Sequence, residues 1–176
     1  MRADKCTSVA LDTVVRLPLW YEHCHATFFV SGQWAKDNAQ LLERIAESGH
    51  EIGTMGYYPT FDGDVSTVVS DVELSQSVIE TITGISAEYY YSGLRSAETS
   101  RRAAEEAGLK HVACTTDLLS GRGDAVDIAS RALEHIFDGS ILLIQPTAAA
   151  VRALPTILSE IASRGYRVTT VGNVLQ

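Results

Sequence analysis

His23-Cys24-His25 sets three side chains able to hold a transition metal in immediate succession. Neighbouring side chains diverge from the backbone, so the three do not turn easily onto one ion. The other cysteines, Cys6 and Cys114, form no CxxC and stand at no metal spacing from a histidine. Buried or edge thiols in a reducing compartment are the expectation. Asp62-Gly63-Asp64 has the start of a hard-cation loop but lacks the further oxygen donors such a loop needs, so a solvated turn is expected there. No HExxH, P-loop, GxGxxG or Ser/His/Asp set is present. Aromatic chemistry is more concentrated. Tyr57, Tyr58, Tyr89, Tyr90 and Tyr91 account for five of the seven tyrosines. Rings with polar tips stack on sugars or pack a partner. Alternate tyrosines in the Tyr89–Tyr91 run would serve equally well as interior filling.

The elements that must position these groups alternate regularly. β-rich runs at Ser8–Asp12, His25–Ser31, Glu51–Gly56, Glu88–Ser92, His111–Asp117, Ser140–Gln145 and Tyr166–Val171 predict about seven strands. ATFFV and SILLI are continuously apolar, as suits strands of a parallel sheet or barrel buried on both faces. Between them, Gln33–Ser48 carries Trp34, Leu41, Leu42 and Ile45 on one helical face, and Val65–Thr83 carries a similar stripe of Val and Ile. Ser96 is a plausible cap for a helix over Ala97–Ala107, and Gly108 a stop. Further helices are expected over Asp124–Phe137 and Val151–Ser163, with Pro155 late in the first turn of the second. No repeat, low-complexity tract or linker interrupts the chain, so one domain over residues 1–176 is expected. Strand–helix alternation of this kind means a (β/α) barrel or an open doubly wound sheet, and periodicity does not separate the two.

With 176 residues, 45% apolar and 20% charged, the chain has the profile of a globular protein with a full core. A net charge of −8 and a pI near 5.0, with no basic run, argue against nucleic acid as a partner and against an anionic membrane surface. The N-terminal MRADKCTSVALD contains no apolar stretch long enough for a signal peptide or anchor, so a cytosolic protein or an excised domain is expected.

Both candidate architectures place function at the C-terminal ends of the strands. Those ends supply Asp12-Thr13, Ser31-Gly32, the run from Thr54 to Tyr58, Tyr91-Ser92-Gly93, Thr115-Thr116-Asp117, Gln145-Pro146 and Gly172-Asn173. Only Asp12 and Asp117 among them are ionisable carboxylates. His50 and His111 fall at strand starts, His135 lies within a helix, and His23 and His25 precede a strand.

HATFFVSGQWAKDNAQLLERIAESGHEIGTMGY closely resembles the NodB-homology polysaccharide deacetylases, carbohydrate esterase family four. The resemblance continues through VELSQSVIETITGISAEYY, RRAAEEAGLKHV and DGSILLIQP…ALPTILSEIASRGYRVTTV. The WA and GTMGY variants look most like the branch associated with bacterial sporulation. The resemblance implies a distorted (β/α) barrel holding one divalent metal, usually zinc, on an Asp-His-His set, with an aspartate base and a histidine acid from a Leu-x-His segment. Carried over position by position, the acidic segment reduces to Asp12-Thr13, with Asp12 as its remnant. The first metal histidine becomes Met55, and the second becomes Pro59, or Tyr58 with a one-residue gap. The arginine-proline segment becomes Tyr90-Tyr91-Ser92, and the tryptophan of the next strand becomes Cys114. Asp117 matches a family aspartate, and Leu-x-His becomes Leu143-Ile144-Gln145.

Two functions follow as expectations. The first is a deacetylase-like protein without catalysis and without a metal cofactor, retained to bind cell-wall or spore glycan or a protein partner. Tyr57, Tyr58, Tyr90 and Tyr91 would stack, with Asp117 and Gln145 bonding hydroxyls. The second is an active N-deacetylase or esterase with a relocated site built on Asp12, Asp117 and a backbone oxyanion hole. The resemblance suggests the cell envelope or the spore as the compartment.

Overall fold

The computed structural model describes residues 24–58, 63–93 and 97–176. The expected strand Ser8–Asp12, and with it Asp12, lies outside these residues, as do Cys6, His23, Pro59, Asp62 and Ser96. Although the sequence contains no linker, the described chain divides into two compact units, one formed by Thr27–Ala113 and one containing Cys114–Gln176.

In the first unit, β1 (Thr27–Val30), β2 (Glu51–Thr54), β3 (Tyr89–Tyr90) and β4 (Lys110–His111) form an all-parallel sheet in the order β1-β2-β3-β4. β1 and β2 pair along their whole length, from Thr27 opposite Glu51 to Val30 opposite Thr54. Thr54 then pairs with Tyr90, and Tyr90 with His111. Each strand lies beside its sequence neighbour, without the reversal of order that creates the switch point of a doubly wound sheet. The two-fold alternation of strands therefore assigns Thr54, Tyr90 and His111 to one face, and Phe29, Gly53 and Tyr91 to the other. Gly53 is required by its cross-strand neighbour: a Cβ there would stand 2.5 Å from Cε1 of Phe29.

The helix expected as one piece over Gln33–Ser48 is two, α1 (Gly32–Asp37) and α2 (Ala39–Glu47). Asn38 interrupts it with φ −130° and ψ 37°. Both its backbone N–H, at 2.9 Å, and its side-chain Nδ2, at 3.0 Å, donate to the carbonyl of Trp34. A short amide side chain competing for a helix carbonyl is what makes asparagine a poor interior helix residue. α3 (Val65–Thr83) is started by the Asp64 carboxylate, which accepts from Thr67 N–H at 2.9 Å, and is stopped by Gly84 in the left-handed region at φ 69°. Thus Asp64, half of the suspected cation loop, is a helix cap. α4 (Ala97–Glu106) completes the layer. Val68 and Val72 of α3 enclose Tyr90 together with Ala103 and Ala104 of α4 and Leu109.

The second unit has a two-stranded parallel sheet, β5 (Thr116–Asp117) with β6 (Leu142–Leu143). It also has α5 (Ala125–Glu134), α6 (Ala148–Ser163) and α7 (Val171–Val174). Its core runs from Leu118 and Ile128 to Ile157 and Ile161, between α5 and α6. Several expectations change here. His111–Asp117 is not one strand: its first residue ends β4 and its last two form β5 in a different sheet. Asp124 is the cap of α5, in a reciprocal capping box with Asp127, and the helix stops before Phe137. Thr147 caps α6 three residues earlier than expected, accepting from Ala150 N–H at 3.1 Å, so Pro155 lies in the helix interior. Proline there has no N–H to offer the carbonyl one turn back. Tyr166–Val171 is not a strand. Tyr166 and Val168 alternate because they pack against the α5–α6 core, and the Thr170 hydroxyl caps α7 instead.

Among the described residues there are six strands and seven helices in two separate parallel sheets. Strand pairing among them does not close a barrel. Nor is any described helix long and apolar enough to cross a membrane.

Candidate functional site

The chain leaves β2 at Thr54, which is buried with its Oγ1 donating to Ser75 Oγ on α3 at 2.8 Å and accepting from Gly56 N–H at 3.0 Å. The main chain from Gly56 to Tyr58 is held from both sides. The carbonyls of Gly56 and Tyr57 accept, each at 3.1 Å, from the N–H groups of Gly32 and Gln33 at the start of α1. A helix start leaves such donors without an intrahelical partner. From the other side, the Asp71 carboxylate of α3 accepts from Tyr57 N–H at 3.0 Å and from Tyr58 N–H at 3.1 Å. Gly56 makes the turn at φ 85°. Tyr57 lies directly over Gly32, where a Cβ would come within 2.6 Å of its ring, and Tyr58 meets Tyr57 edge-to-face with centroids 4.8 Å apart. Tyr58 is 48% exposed. An aromatic pair is thus mounted on an ordered main chain beyond the end of a parallel strand.

The ends of β3 and β4 adjoin it. Tyr91 N–H donates to the Thr54 carbonyl at 3.0 Å, and the Tyr91 ring, half-buried, packs against Phe29 at 5.7 Å between centroids. The Met55 methyl lies 3.7 Å from where a Cβ would project at Gly93. Tyr90 does not belong with these groups. It is fully buried among α3 and α4 side chains and presents no face for stacking. The central residue of three consecutive tyrosines had to point to one side of the sheet, and its register with Thr54 and His111 sends it to the helices. His111, expected at a strand start, closes β4. Its Nε2 lies 3.1 Å from Ser92 Oγ, and burial holds its pKa below the usual histidine value.

In the second unit, Asp117 and Gln145 are both exposed; Asp117 ends β5, and Gln145 lies beyond β6, which stops at Leu143 rather than at Gln145 as expected. Asp117 Oδ1 accepts from Leu119 N–H at 2.9 Å, an Asx turn that supports Leu119 at φ 47°. Gln145 N–H donates to the buried Ser120 hydroxyl at 3.2 Å, and Thr147 Oγ1 donates to the Ser120 carbonyl at 2.9 Å. The loops after β5 and β6 are stitched together through Ser120. Cys114 has its thiol pKa raised by burial first and by the negative charge of Asp117 second, so it is a poor thiolate. Burial also raises that of Cys24.

Among the described residues no three His, Cys, Asp or Glu side chains gather closely enough to hold a metal ion. Met55, at the end of β2, offers a soft thioether, a donor suited to Cu(I) and unsuited to a hydrolytic zinc. The described donor set does not fit such a metal.

A sequence profile of the polysaccharide deacetylase family matches residues 18–112, more than half of the chain. The chain belongs to the polysaccharide deacetylase family. The uncharacterized protein YlxY of Bacillus subtilis is 28% identical over 166 residues, spanning 90% of this chain and 51% of its own length. Peptidoglycan-N-acetylglucosamine deacetylase PgdA of Listeria monocytogenes is also 28% identical, over 96% of this chain and 36% of its own. This deacetylase-family chain therefore spans about half or less of these curated relatives. Among solved structures, BA3943 of Bacillus anthracis, a CE4 family pseudoenzyme, superposes with a TM-score of 0.87 at 22% identity, over 97% of this chain and 62% of that one. The α/β fold is that of this CE4 family structure.

Two site features escaped the residue types. The Ser92–His111 pair depends on His111 ending β4, which the apolar continuation into Val112 and Ala113 concealed. Asp71 carried a usable signal: it falls within the spacing of Val68, Val72, Ser75 and Ile79, the positions α3 buries. A carboxylate within a buried stripe has to find donors.

Proposed function

We propose that this member of the polysaccharide deacetylase family is a glycan-binding protein without hydrolytic activity, carrying no catalytic metal and acting on cell-envelope or spore glycan as a ligand. The observation that carries the reading is Met55. It stands just past the end of β2, where the family resemblance places a metal histidine, and its methyl lies 3.7 Å from where a Cβ would project at Gly93. Loss of that donor comes with replacement of the acid histidine by Gln145, which neither donates nor accepts a proton near neutral pH. What remains beyond β2 and β3 is aromatic: Tyr57, Tyr58 and Tyr91. In the second unit, taken by itself, Asp117 and Gln145 are exposed polar groups able to bond sugar hydroxyls. The sequential order of the four-stranded sheet supports the distorted barrel implied by the resemblance, and the WA and GTMGY variants support the sporulation branch as the affiliation.

Calorimetric titration of the purified protein with Zn²⁺, and then with chitotetraose and a muropeptide fraction, tests the reading. The expected result is no stoichiometric zinc binding tighter than micromolar, no acetate release, and saturable glycan binding weakened by Tyr58→Ala and Tyr91→Ala. Tight zinc binding with acetate release would overturn it in favour of a relocated active site.

A further inference from the structure

We propose that Asp71 sets the glycan affinity of the Tyr57–Tyr58 platform by ordering its main chain, a positioning role that rests on the glycan-binding reading above. Asp71 is 7% exposed and lies on the buried side of α3, yet its carboxylate is directed at consecutive amides of a different segment. One oxygen takes Tyr57 N–H and the other takes Tyr58 N–H, a bidentate grip that fixes the direction of both peptide planes. The opposite edge of the same segment is held by the first two amides of α1. Two helices thus clamp the main chain of Gly56, Tyr57 and Tyr58 between them, and the Tyr58 side chain, beyond the clamp, is presented to solvent.

This arrangement goes beyond what core packing requires. An apolar side chain at position 71 would fill the stripe between Val68 and Val72 but would leave the Tyr58 amide to water, and Tyr57 N–H with only the main-chain carbonyl of residue 71, 3.1 Å away. An asparagine would match the volume but would accept at one atom only and turn N–H donors toward the second amide. A stacking surface that is already ordered does not have to be immobilised when ligand arrives, and this is where preorganisation increases affinity. Asp71 reaches the ligand only through Tyr57 and Tyr58, which makes it a positioning residue.

The test uses the full chain, Asp71→Asn, amide exchange read by NMR, and chitotetraose as the glycan probe. In the wild type, the Tyr57 and Tyr58 amides are expected to exchange as slowly as the interior amides of α3. Exchange at the rate of an exposed loop would overturn the proposal without any variant, which covers the case of a variant that fails to fold. In Asp71→Asn, protection of the Tyr58 amide is expected to fall about tenfold or more, that of Tyr57 to fall less because the main-chain carbonyl of residue 71 still accepts from it, the Val72 and Ile79 amides to stay within about twofold, and the chitotetraose Kd to rise about tenfold. Unchanged protection, or lost protection with unchanged affinity, would overturn the role. If the wild type binds no chitotetraose, the glycan reading fails for that ligand, and the exchange measurement still decides whether Asp71 orders the segment.

Discussion

Tyr90→Ala separates a binding residue from a core residue. Tyr90 is fully buried against Val68, Val72, Ala103, Ala104 and Leu109, at the junction of β3 with α3 and α4. Truncating a buried aromatic to alanine removes its burial and leaves a cavity, costing about 3–5 kcal/mol. That is a fifth or more of the roughly 5–15 kcal/mol by which a typical domain is stable. With a urea m-value of about 2 kcal/mol/M, the unfolding midpoint is expected to fall by roughly 1.5–2.5 M, followed by far-UV circular dichroism. Tyr90→Phe keeps the ring and its packing and is expected to lose no more than about 1.5 kcal/mol. Glycan affinity of the phenylalanine variant should match the wild type. A midpoint shift below about 0.5 M for Tyr90→Ala, with glycan binding abolished in both variants, would refute the core assignment.

Gly32→Ala places a Cβ 2.6 Å from the Tyr57 ring and 2.9 Å from Ser75 Cα, so the α1–α3 approach must open; a loss of about 1–3 kcal/mol in chemical denaturation is expected. Asp124→Ala removes the acceptor for Val126 and Asp127 N–H at 2.8 and 3.1 Å, and a loss of about 1 kcal/mol is expected by the same assay. Tyr58→Ala, at an exposed ring, is expected to change the melting temperature by less than about 2 °C while weakening glycan binding. His111 should titrate below the free imidazole value in an NMR pH series, because burial disfavours its charged form. The folded state then binds fewer protons than the unfolded one below the unfolded pKa. Its contribution is therefore present above about pH 6.5 and lost as pH falls toward the folded value, and His111→Gln should flatten the stability profile in that window.

Much of the scaffold was legible in the sequence because local rules are sufficient for it. α3 runs over Val65–Thr83, as its apolar stripe predicts, since an aspartate cap and a left-handed glycine mark its ends. Asn38 was read as part of a helix because its position is right for one; its side-chain competition for the Trp34 carbonyl is visible only in coordinates. The alternation in Tyr166–Val171 satisfies a strand pattern but reflects packing against a helical core. Tyr57 and Tyr58 could be picked out as aromatic residues at a strand end, whereas Tyr90 could not be distinguished from Tyr91, because adjacent identical residues leave the face to the register. Asp71 is the deeper case. Its partners are backbone amides 14 and 13 residues earlier in the chain, and a backbone amide carries no residue type to recognise.

Every described strand pairs with its immediate neighbour in sequence, and this bears on how the protein is made. β1 and β2 meet across a separation of only 24 residues, and β3 and β4 then add in turn at one edge. Closing such a loop carries an entropic cost that rises by only about 0.6 kcal/mol per doubling of its length. As the chain emerges from the ribosome, no described strand has to wait past the next one for a partner, and within the four-stranded sheet each edge exposed by one pairing is the template for the following strand. Synthesis from the N-terminus and growth of the sheet run in the same direction.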